Sequence, residues 1–314
     1  MTKSLVSVII PNYNHARFLS QRVDSVINQT YKALEIIILD DCSRDNSKEV
    51  IEKYRAHPLI KQIVYNTLNT GSPFLQWQKG IELAAGEWIW IAESDDYADP
   101  YFLETMLSSF SDSHRFGLLY CDSHIVINDL VQAETFATKR KAKLHLDHWE
   151  GDYTSNGIDE IQDYLLAYGT INNTSAVLFR TEIIRKVNPF DQPFRFMGDK
   201  YIFIKVLAIS DIGYVNRPLN YYRAAADAKP KHTQYYFDYF YEQFLIFDWV
   251  VRNLTSLDEM KFKQALKLNT EVSLISMSGN KLKAFFEFYR VNRNLFLLVM
   301  KNNLVRSFKR SVSR

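Results

Sequence analysis

Short hydrophobic runs alternate with longer segments of helical spacing over the first hundred residues. Four of these runs are rich in β-branched residues, which is typical of buried strands. The runs are LVSVII (5–10), LEIIIL (34–39), IKQIVY (60–65) and EWIWIA (87–92). Between them, residues 16–29, 45–57 and 73–85 each place apolar side chains on one helical face. This alternation predicts an α/β fold with a doubly wound, mostly parallel sheet.

The pattern is less regular between residues 116 and 223. Three further runs predict strands, and the spacing over 199–210 predicts a helix that begins at Asp199. The strand runs are FGLLYCDS (116–123), SAVLFR (175–180) and DIGYVNRPLNYYR (211–223). The stretch 129–157 is polar and carries no clear period.

Beyond about residue 233 the chain changes to long helical segments that are dense in Tyr, Phe and Leu. We therefore predict a domain boundary near 225–232, with an α/β domain over 1–225 and a helical, aromatic and basic region over 226–314. Its last part, 281–314, holds nine Lys or Arg and one Glu. A solvated helical face is the default interpretation of this charge. A membrane-surface patch is the alternative, since each basic residue near anionic lipid contributes about 1 kcal/mol.

Polar clusters follow three of the predicted strands: PNYN (11–14), DDCSRDNS (40–47) and ESDD (93–96). In doubly wound sheets, ligands bind beyond the carboxyl ends of the strands. The three clusters therefore predict one ligand site at this edge of the sheet.

The acidic cluster places Glu93, Asp95 and Asp96 within four positions. Such hard oxygen ligands suit Mg²⁺ or Mn²⁺, which bind through one or two carboxylates together with substrate phosphates. The alternative is a solvated turn that caps a helix beginning near Asp99 and Pro100. That alternative accounts for Asp99 and Pro100 but leaves Glu93, Asp95 and Asp96 unexplained.

Composition and net charge limit the classes of function that this protein can have. Hydrophobic residues make up 47% of the 314 positions, as in globular proteins, and the net charge of +2 gives no argument for nucleic acid. Cys42 and Cys121 have no metal-ligand spacing and suggest a reducing compartment. The N-terminus does not resemble a signal peptide, and no apolar stretch reaches the roughly 18 residues of a membrane span. We therefore expect a cytoplasmic protein that can rest on the inner face of the cell membrane.

Several of these segments together resemble the inverting family 2 glycosyltransferases with the GT-A fold, of the bacterial type that builds surface polysaccharides. The segments are VSVIIPNYN (6–14), SVINQTYKALEIIILDDCSRDNS (25–47), NTG (69–71), GIELAAGEWIWIAESDD (80–96) and GD (198–199). The resemblance runs from about residue 5 to about residue 223. It implies a nucleotide-sugar donor, most simply a UDP-sugar, and a glycan or polyprenyl-linked acceptor.

The resemblance also implies roles for donor-binding residues. Pro11 and Tyr13 match positions that line the nucleotide pocket, where a tyrosine ring can stack on the base. Asp41 matches the aspartate that recognises uracil. A carboxylate at this strand end can accept the N3–H of a pyrimidine, whereas Asp45 and Ser43 are read as caps of the next helix.

Two carboxylates match the metal motif of the family, and a third matches its base. Asp96 is the expected direct ligand of Mn²⁺ or Mg²⁺, and Asp95 is expected near the ribose or sugar. Asp199 matches the catalytic base that deprotonates the acceptor hydroxyl. The alternative for Asp199 is a helix N-cap, and one residue can fill both roles.

Two departures from the family concern the diphosphate. Many relatives carry an Arg-Asn pair before GI, and this chain has Trp77 and Gln78 there, with Lys79 as a possible substitute. Many relatives also place a histidine two residues after the arginine of YYR. Here Arg223 is followed by Ala225, which leaves Arg223 itself and His232 as candidate diphosphate contacts.

Two other functions remain open on the sequence. A non-catalytic nucleotide-sugar binder is compatible with the altered diphosphate positions. A nucleotidyltransferase also uses an α/β nucleotide fold with acidic metal ligands, but it normally carries a glycine-rich, basic loop after the first strand. The segment PNYNHARF (11–18) lacks such a loop.

Overall fold

The computed structural model describes residues 4–110, 115–191, 194–224, 233–270 and 287–301. The chain divides into two compact units. Unit 1 comprises Met1–Gly157, Ile171–Pro193 and Lys205–Ala228, and unit 2 comprises Ile158–Thr170, Phe194–Ile204 and Lys229–Arg314. The predicted boundary near 225–232 stays a prediction because that range lies outside the described residues. Residues 158–170 and 194–204, which the sequence assigns to the first domain, group with unit 2.

The described strands all join one sheet of ten. In chain order they are β1 (Val6–Asn12), β2 (Leu34–Asp40), β3 (Ile60–Tyr65), β4 (Trp88–Ile91), β5 (Tyr97–Ala98), β6 (Phe116–Ile127), β7 (Leu130–Thr135), β8 (Tyr153–Ser155), β9 (Val177–Arg180) and β10 (Asp211–Arg223).

The α-helices flank the strands in sequence and dominate the C-terminal part. They are α1 (Ala16–Ile27), α2 (Ser47–Glu52), α3 (Pro73–Leu83), α4 (Phe102–Ser108), α5 (Phe136–Leu144), α6 (Gly157–Glu160), α7 (Leu166–Tyr168), α8 (Thr181–Lys186), α9 (Gly198–Leu207), α10 (Thr233–Asn253) and α11 (Glu259–Thr270). A π-helical turn, Ile161–Leu165, joins α6 to α7, and residues 287–291 and 293–301 are also helical.

The sheet of unit 1 has the strand order β3-β2-β1-β4-β9-β6-β10-β5, with β7 beside β6 and β8 beside β10. Strands β3, β2, β1 and β4 are mutually parallel, as the alternating pattern predicts. Strand β9 runs antiparallel to both of its neighbours, β4 and β6. The predicted α/β class is confirmed, in the form of a mixed sheet with a parallel half.

The parallel half owes its stability to burial on both faces. Strands β1, β2 and β4 are buried along their whole length. Helix α1 adds Leu19, Val23 and Val26, which are fully buried against the sheet. Each such side chain contributes about 1.5–3 kcal/mol when it leaves water. The carboxyl ends of these three strands therefore meet at one well-supported edge.

One local prediction needs correction, and one stretch without a predicted element proves to be structured. Helix α4 begins at Phe102, not near Asp99, because the Asp99 carboxylate accepts the N–H of Tyr101 at 2.8 Å and closes a turn before the helix. The polar stretch 129–157 contains the strands β7 and β8 and the helix α5. Its ladders lie at the margin of the sheet, where strand β7 is mostly exposed, so its polar side chains hide the strand pattern.

Unit 2 is helical in its C-terminal part, as predicted. Helices α10 and α11 pack through aromatic side chains, with the rings of Phe247 and Phe262 at 5.5 Å and nearly perpendicular. In the described parts of the chain, no helix is long and apolar enough to cross a membrane. His232 and most of the basic segment 281–314 lie outside the described residues, so the diphosphate role of the first and the membrane patch of the second stay predictions.

Candidate functional site

The first polar cluster is built on the paired ends of β1 and β2. Asn12 and Asp40 are partners in the parallel register, and the Asn12 amide donates to the Asp40 carboxylate at 2.8 Å. The Asn12 amide also donates to Ser43 Oγ at 3.1 Å. Pro11 is buried in the strand, while Tyr13 leaves it with 40% of its side chain exposed. An aromatic face is thus available at the rim, where the sequence predicts base stacking.

Asp45 supports two helices at once. Its Oδ2 accepts the N–H of Ala16 at 2.9 Å, at the start of α1, and its Oδ1 accepts the N–H of Ser47 at 3.0 Å, at the start of α2. Free N–H groups of a first helical turn are the usual partners of such an oxygen. These two hydrogen bonds give Asp45 a structural role at the start of both helices, so its position after β2 needs no ligand-binding role.

Asp41 has the richest set of hydrogen-bond donors in this region, although only 4% of it is exposed. Its Oδ1 accepts from Asn66 Nδ2 at 2.7 Å and from Gln76 Nε2 at 3.0 Å. Its Oδ2 accepts from Asn69 Nδ2 at 3.1 Å and from Thr70 Oγ1 at 2.8 Å. The N–H of Thr70 lies 3.0 Å from both oxygens. Each carboxylate oxygen therefore accepts three hydrogen bonds, which hold the side chain in one orientation.

Three of the predicted donor-binding residues, Pro11, Tyr13 and Asp41, line one cavity of about 310 Å³ in unit 1. Asp95 and Arg223 line a separate cavity of about 360 Å³, and Lys79 lines neither of the two. The first cavity lies between the ends of β1 and β2, the start of α3 and the acidic cluster. Its walls include Pro11, Tyr13, His15, Asp41, Asn69, Gln76, Glu93 and Ser94. His15, which the sequence gave no reason to single out, is fixed by a 2.9 Å hydrogen bond between its Nδ1 and Ser94 Oγ.

The acidic cluster follows β4 as a tight turn, with the N–H of Asp96 bonded to the carbonyl of Glu93. Asp96 is 2% exposed, and its Oδ1 accepts the backbone N–H of Arg223 at 2.9 Å. Burial raises the pKa of Glu93 to about 8, and the charges of Asp95 and Asp96 add to this rise. Burial and the charge of Asp95 also raise the pKa of Asp96. The turn therefore holds more negative charge than its surroundings favour.

A buried arginine supplies part of the missing positive charge. Arg22, on the inner face of α1, is 0% exposed, and its Nε donates to the carbonyl of Glu93 at 2.8 Å. Its two terminal nitrogens have no hydrogen-bond partner among the described residues. Burial lowers the pKa of Arg22 to about 10, while the charges of Asp96 and Asp95 oppose this fall. The sequence signal for the burial of Arg22 was its position on the same helical face as Leu19, Val23 and Val26.

Arg223 closes the other side of the turn. Its guanidinium donates to the carbonyl of Asp95 and, at 2.5 Å, to Gln21 Oε1. It lies 4.6 Å from the ring centre of Phe18 and 5.0 Å from that of Tyr97. These protein contacts hold Arg223 beside the predicted donor site. Its contact with the diphosphate stays a prediction.

The residues of α3 that depart from the family pattern form hydrogen bonds within the protein. Trp77 Nε1 donates to Glu93 Oε1 at 2.7 Å, so the indole fixes the first carboxylate of the acidic turn. Gln78 donates to Glu82 on the same helix at 3.1 Å. Lys79 Nζ donates to Asn66 Oδ1 at 2.9 Å, and Asn66 in turn holds Asp41. Lys79 thus supports the Asp41 network, and its predicted diphosphate contact is untested.

Asp199 belongs to unit 2 and lies in the first turn of α9, which begins one residue earlier than predicted, at Gly198. Its Oδ1 accepts the N–H of Lys200 at 2.7 Å, so the residue is not an N-cap in the usual position. Burial raises the pKa of Asp199, and the N–H and the charge of Lys200 oppose this rise. A raised pKa suits a carboxylate that must accept a proton near neutral pH.

The donor set of the acidic turn fits a divalent cation that is shared with a ligand. Among the described residues, no group of three or more His, Cys, Asp or Glu side chains could hold a metal alone. Asp95 and Asp96 offer hard carboxylate oxygens, one of which already accepts the N–H of Arg223. Mg²⁺ and Mn²⁺ commonly take one or two carboxylates and complete their shell with phosphate oxygens and water.

Comparison with known sequences identifies the first part of the chain. Residues 7–144 match the model of Glycosyl transferase family 2. An uncharacterized glycosyltransferase of Nostoc sp. (strain PCC 7120) is 30% identical over 226 residues, which cover 69% of this chain and 64% of that protein. The poly(ribitol-phosphate) beta-N-acetylglucosaminyltransferase TarS of Staphylococcus aureus is 30% identical over 115 residues, or 36% of this chain and 20% of TarS. The matches thus span less than two thirds of these relatives.

Solved structures resemble this chain over more of its length than the family model does. The crystal structure of S. aureus TarS 1–349 in complex with UDP has a TM-score of 0.67 at 18% identity, covering 98% of this chain and 92% of TarS 1–349. A mannosyltransferase of Pyrobaculum calidifontis, in complex with GDP-Man and Mn²⁺, has a TM-score of 0.60 at 15% identity, covering 96% and 88%. These likenesses confirm the GT-A fold.

Proposed function

We propose, because residues 7–144 match the model of Glycosyl transferase family 2, that the protein transfers a sugar from a UDP-sugar to an acceptor hydroxyl with inversion. The acceptor is a glycan or a polyprenyl-linked sugar of a surface polysaccharide. The observation that carries the proposal is the cavity at which Pro11, Tyr13 and Asp41 meet the acidic turn. The name of TarS and its crystal structures with UDP and UDP-GlcNAc support the choice of donor class.

The cavity suits a nucleoside by aromatic and polar contacts. The exposed ring of Tyr13 offers a stacking face, and base stacking on an aromatic side chain contributes about 1–3 kcal/mol. Asp41 reads the uracil N3–H in this proposal. Because both of its oxygens are already supplied, the base must replace a present donor, and Asn69 at 3.1 Å holds the longest of these bonds.

Asp96, with Asp95 beside it, would hold a divalent cation, Mn²⁺ or Mg²⁺, at the acidic turn. When bound, the cation supplies positive charge to the departing diphosphate. Trp77 and Arg22 fix the turn by their hydrogen bonds to Glu93, at 2.7 and 2.8 Å. Arg223 fixes Asp96 through its backbone N–H.

Asp199 acts as the general base in this mechanism. The acceptor oxygen forms a bond to the anomeric carbon while the bond from that carbon to the phosphate oxygen breaks, and its electron pair leaves with UDP. The proton of the acceptor hydroxyl passes to the Asp199 carboxylate. One displacement on the face opposite the leaving group inverts the anomeric configuration. The raised pKa of Asp199 makes it a better proton acceptor than an ordinary aspartate.

Asp199→Asn tests the reaction class. We expect kcat for UDP release from the best UDP-sugar to fall by about 10²–10⁴, which is the usual contribution of a general base. Candidate donors are UDP-GlcNAc, UDP-glucose and UDP-galactose, ranked by the thermal shift that each gives with Mn²⁺. The thermal shift with the donor should be unchanged in Asp199→Asn.

Two results contradict the proposal in different ways. Full turnover by Asp199→Asn removes the base assignment while leaving a glycosyltransferase. A native protein that binds UDP-sugars and turns over none, with every acceptor glycan tried, is a nucleotide-sugar binder. The segment PNYNHARF (11–18) lacks the glycine-rich, basic loop of a nucleotidyltransferase, so the binder is the favoured alternative.

A further inference from the structure

A buried glutamate holds the loop that leads into Asp199. Glu242 lies in α10 and is 5% exposed. Its Oε1 accepts the N–H of Arg195 at 2.7 Å, and its Oε2 accepts the N–H groups of Phe196 and Met197 at 2.9 and 2.8 Å. One carboxylate thus binds three consecutive backbone amides, and Asp199 follows two residues later.

These contacts are stronger than an ordinary tertiary hydrogen bond. A hydrogen bond to a charged group contributes about 1.5–3 kcal/mol, roughly twice a neutral one. The three amides also directly precede Gly198, where α9 begins, so the carboxylate sits at the positive end of that helix. Glu242 therefore sets both the path of the loop and the direction in which α9 starts.

Glu242 is far from Asp199 in sequence and close to it in space. Both residues belong to unit 2. Among the described residues, the charges of Lys200, from its own helix, and of Glu242, from α10, act on the Asp199 carboxylate. The Lys200 side chain is drawn away from solvent, since its Nζ donates to the carbonyl of Leu166 at 3.1 Å. The surroundings of Asp199 are thus set by long-range contacts within this unit.

We propose that Glu242 is the positioning residue of the catalytic base: by binding the amides of 195–197 it fixes the place and orientation of Asp199. Nothing in the sequence motifs assigns Glu242 a role, and the proposal rests on the proposed function of Asp199. A general base must lie within hydrogen-bond reach of its proton, and a displacement of about 1 Å can cost about 10²-fold in rate.

Glu242→Gln is the main variant of the test. It keeps the shape of the side chain but replaces one acceptor oxygen by an NH₂ group that faces backbone donors. Glu242→Asp keeps the charge on a shorter side chain. Glu160→Gln is the matched control, because Glu160 is also a buried glutamate of unit 2 and accepts from Thr170 Oγ1 instead.

The activity readout is UDP release from the UDP-sugar that gives the largest thermal shift. We expect Glu242→Gln to lower kcat by at least about tenfold while the donor KM changes less than about twofold, with an intermediate kcat in Glu242→Asp. Loss of the Glu242 charge should also lower the pKa of Asp199, so the acid limb of the kcat profile moves to lower pH. The control should keep kcat within about twofold.

Hydrogen exchange separates this proposal from the function on which it rests. In Glu242→Gln the amides of 195–197 should exchange faster than in the wild type, whether or not the donor is the right one. Faster exchange with unchanged kcat overturns the positioning role. A fall in kcat that only follows the loss of folded protein, with no shift of the acid limb, also overturns it. Full activity of Asp199→Asn removes the base assignment itself.

Discussion

Two acidic strand ends lie at the same edge of the sheet, and the protein treats them differently. Asp41, after β2, receives hydrogen bonds from Asn66, Asn69, Thr70 and Gln76. The turn after β4 holds three carboxylates, of which Glu93 receives the indole N–H of Trp77 and Asp96 the backbone N–H of Arg223. Asp41 accepts several hydrogen bonds for a single carboxylate. The acidic turn has three carboxylates and accepts fewer hydrogen bonds for each of them.

This difference distinguishes a site whose carboxylate already has its hydrogen-bond donors from a site whose carboxylates lack them. A carboxylate with a full set of donors is held in one orientation, and a base that binds to it must replace one of those donors. Buried carboxylates without enough donors favour protonation or a cation, as the raised pKa values of Glu93 and Asp96 indicate. The comparison therefore supports a nucleotide role for the first site and a cation role for the second.

The largest effect is expected from removing the carboxylate of Asp96. Asp96→Ala should lower UDP-sugar turnover by at least about 10²-fold, about 2.7 kcal/mol of transition-state stabilisation. It should also abolish the extra thermal shift that Mn²⁺ adds to UDP. Asp99→Ala is the control, because Asp99 belongs to the turn before α4. An unchanged Mn²⁺ effect in Asp96→Ala means that the acidic turn is not the cation site.

A smaller effect, on folding as well as binding, is expected at the donor-rich site. Asp41→Asn places an NH₂ group among donors and should lower the unfolding free energy by about 2–4 kcal/mol, measured by urea denaturation. UDP affinity should fall with it. Asp40→Asn is a matched variant, since the carboxylate of buried Asp40 accepts one hydrogen bond from the Asn12 amide and one from the N–H of Ser43. A larger loss in Asp40→Asn would reverse the comparison.

The smallest effect, when it is expressed per pH unit, is a pH dependence of stability from Glu93. Its pKa is about 8 in the folded protein, against 4.5 ordinarily, so the folded state holds a proton that the unfolded state has lost. Stability should therefore fall as pH rises between about 4.5 and 8, by up to about 1.4 kcal/mol per pH unit for one proton. Glu93→Gln should flatten this slope in thermal melts with EDTA, and Glu82→Gln serves as control. An equal slope in both variants contradicts the assignment.

The parallel half of the fold was predictable because each of its elements has a local signal. The β-branched runs gave β1, β2, β3 and β4, and the rule for ligand binding in doubly wound sheets placed the site at their carboxyl ends. The resemblance to family 2 supplied the roles proposed for Asp41, Asp96 and Asp199. The segment 129–157 was missed because its strands are short or exposed, so they have little apolar alternation.

The partners of these carboxylates were not predictable from the sequence. Arg22 meets Glu93 across 71 positions, and Glu242 meets the amides before Asp199 across 45 to 47 positions. No local spacing encodes such pairs, and an arginine or glutamate on a helix is usually a surface residue. Trp77 is similar, because only the folded structure shows that its N–H reaches Glu93.

Arg22 also constrains how this protein can change by mutation. Its charge is buried in the apolar face of α1, and the charges of Asp96, Asp95 and Glu93 favour it. A lineage that lost these three carboxylates first would keep an isolated buried cation, which costs several kcal/mol. Loss of Arg22 before or together with the acidic turn avoids that intermediate. The order of substitutions is therefore restricted, and a descendant that has abandoned transfer should lack the arginine as well as the aspartates.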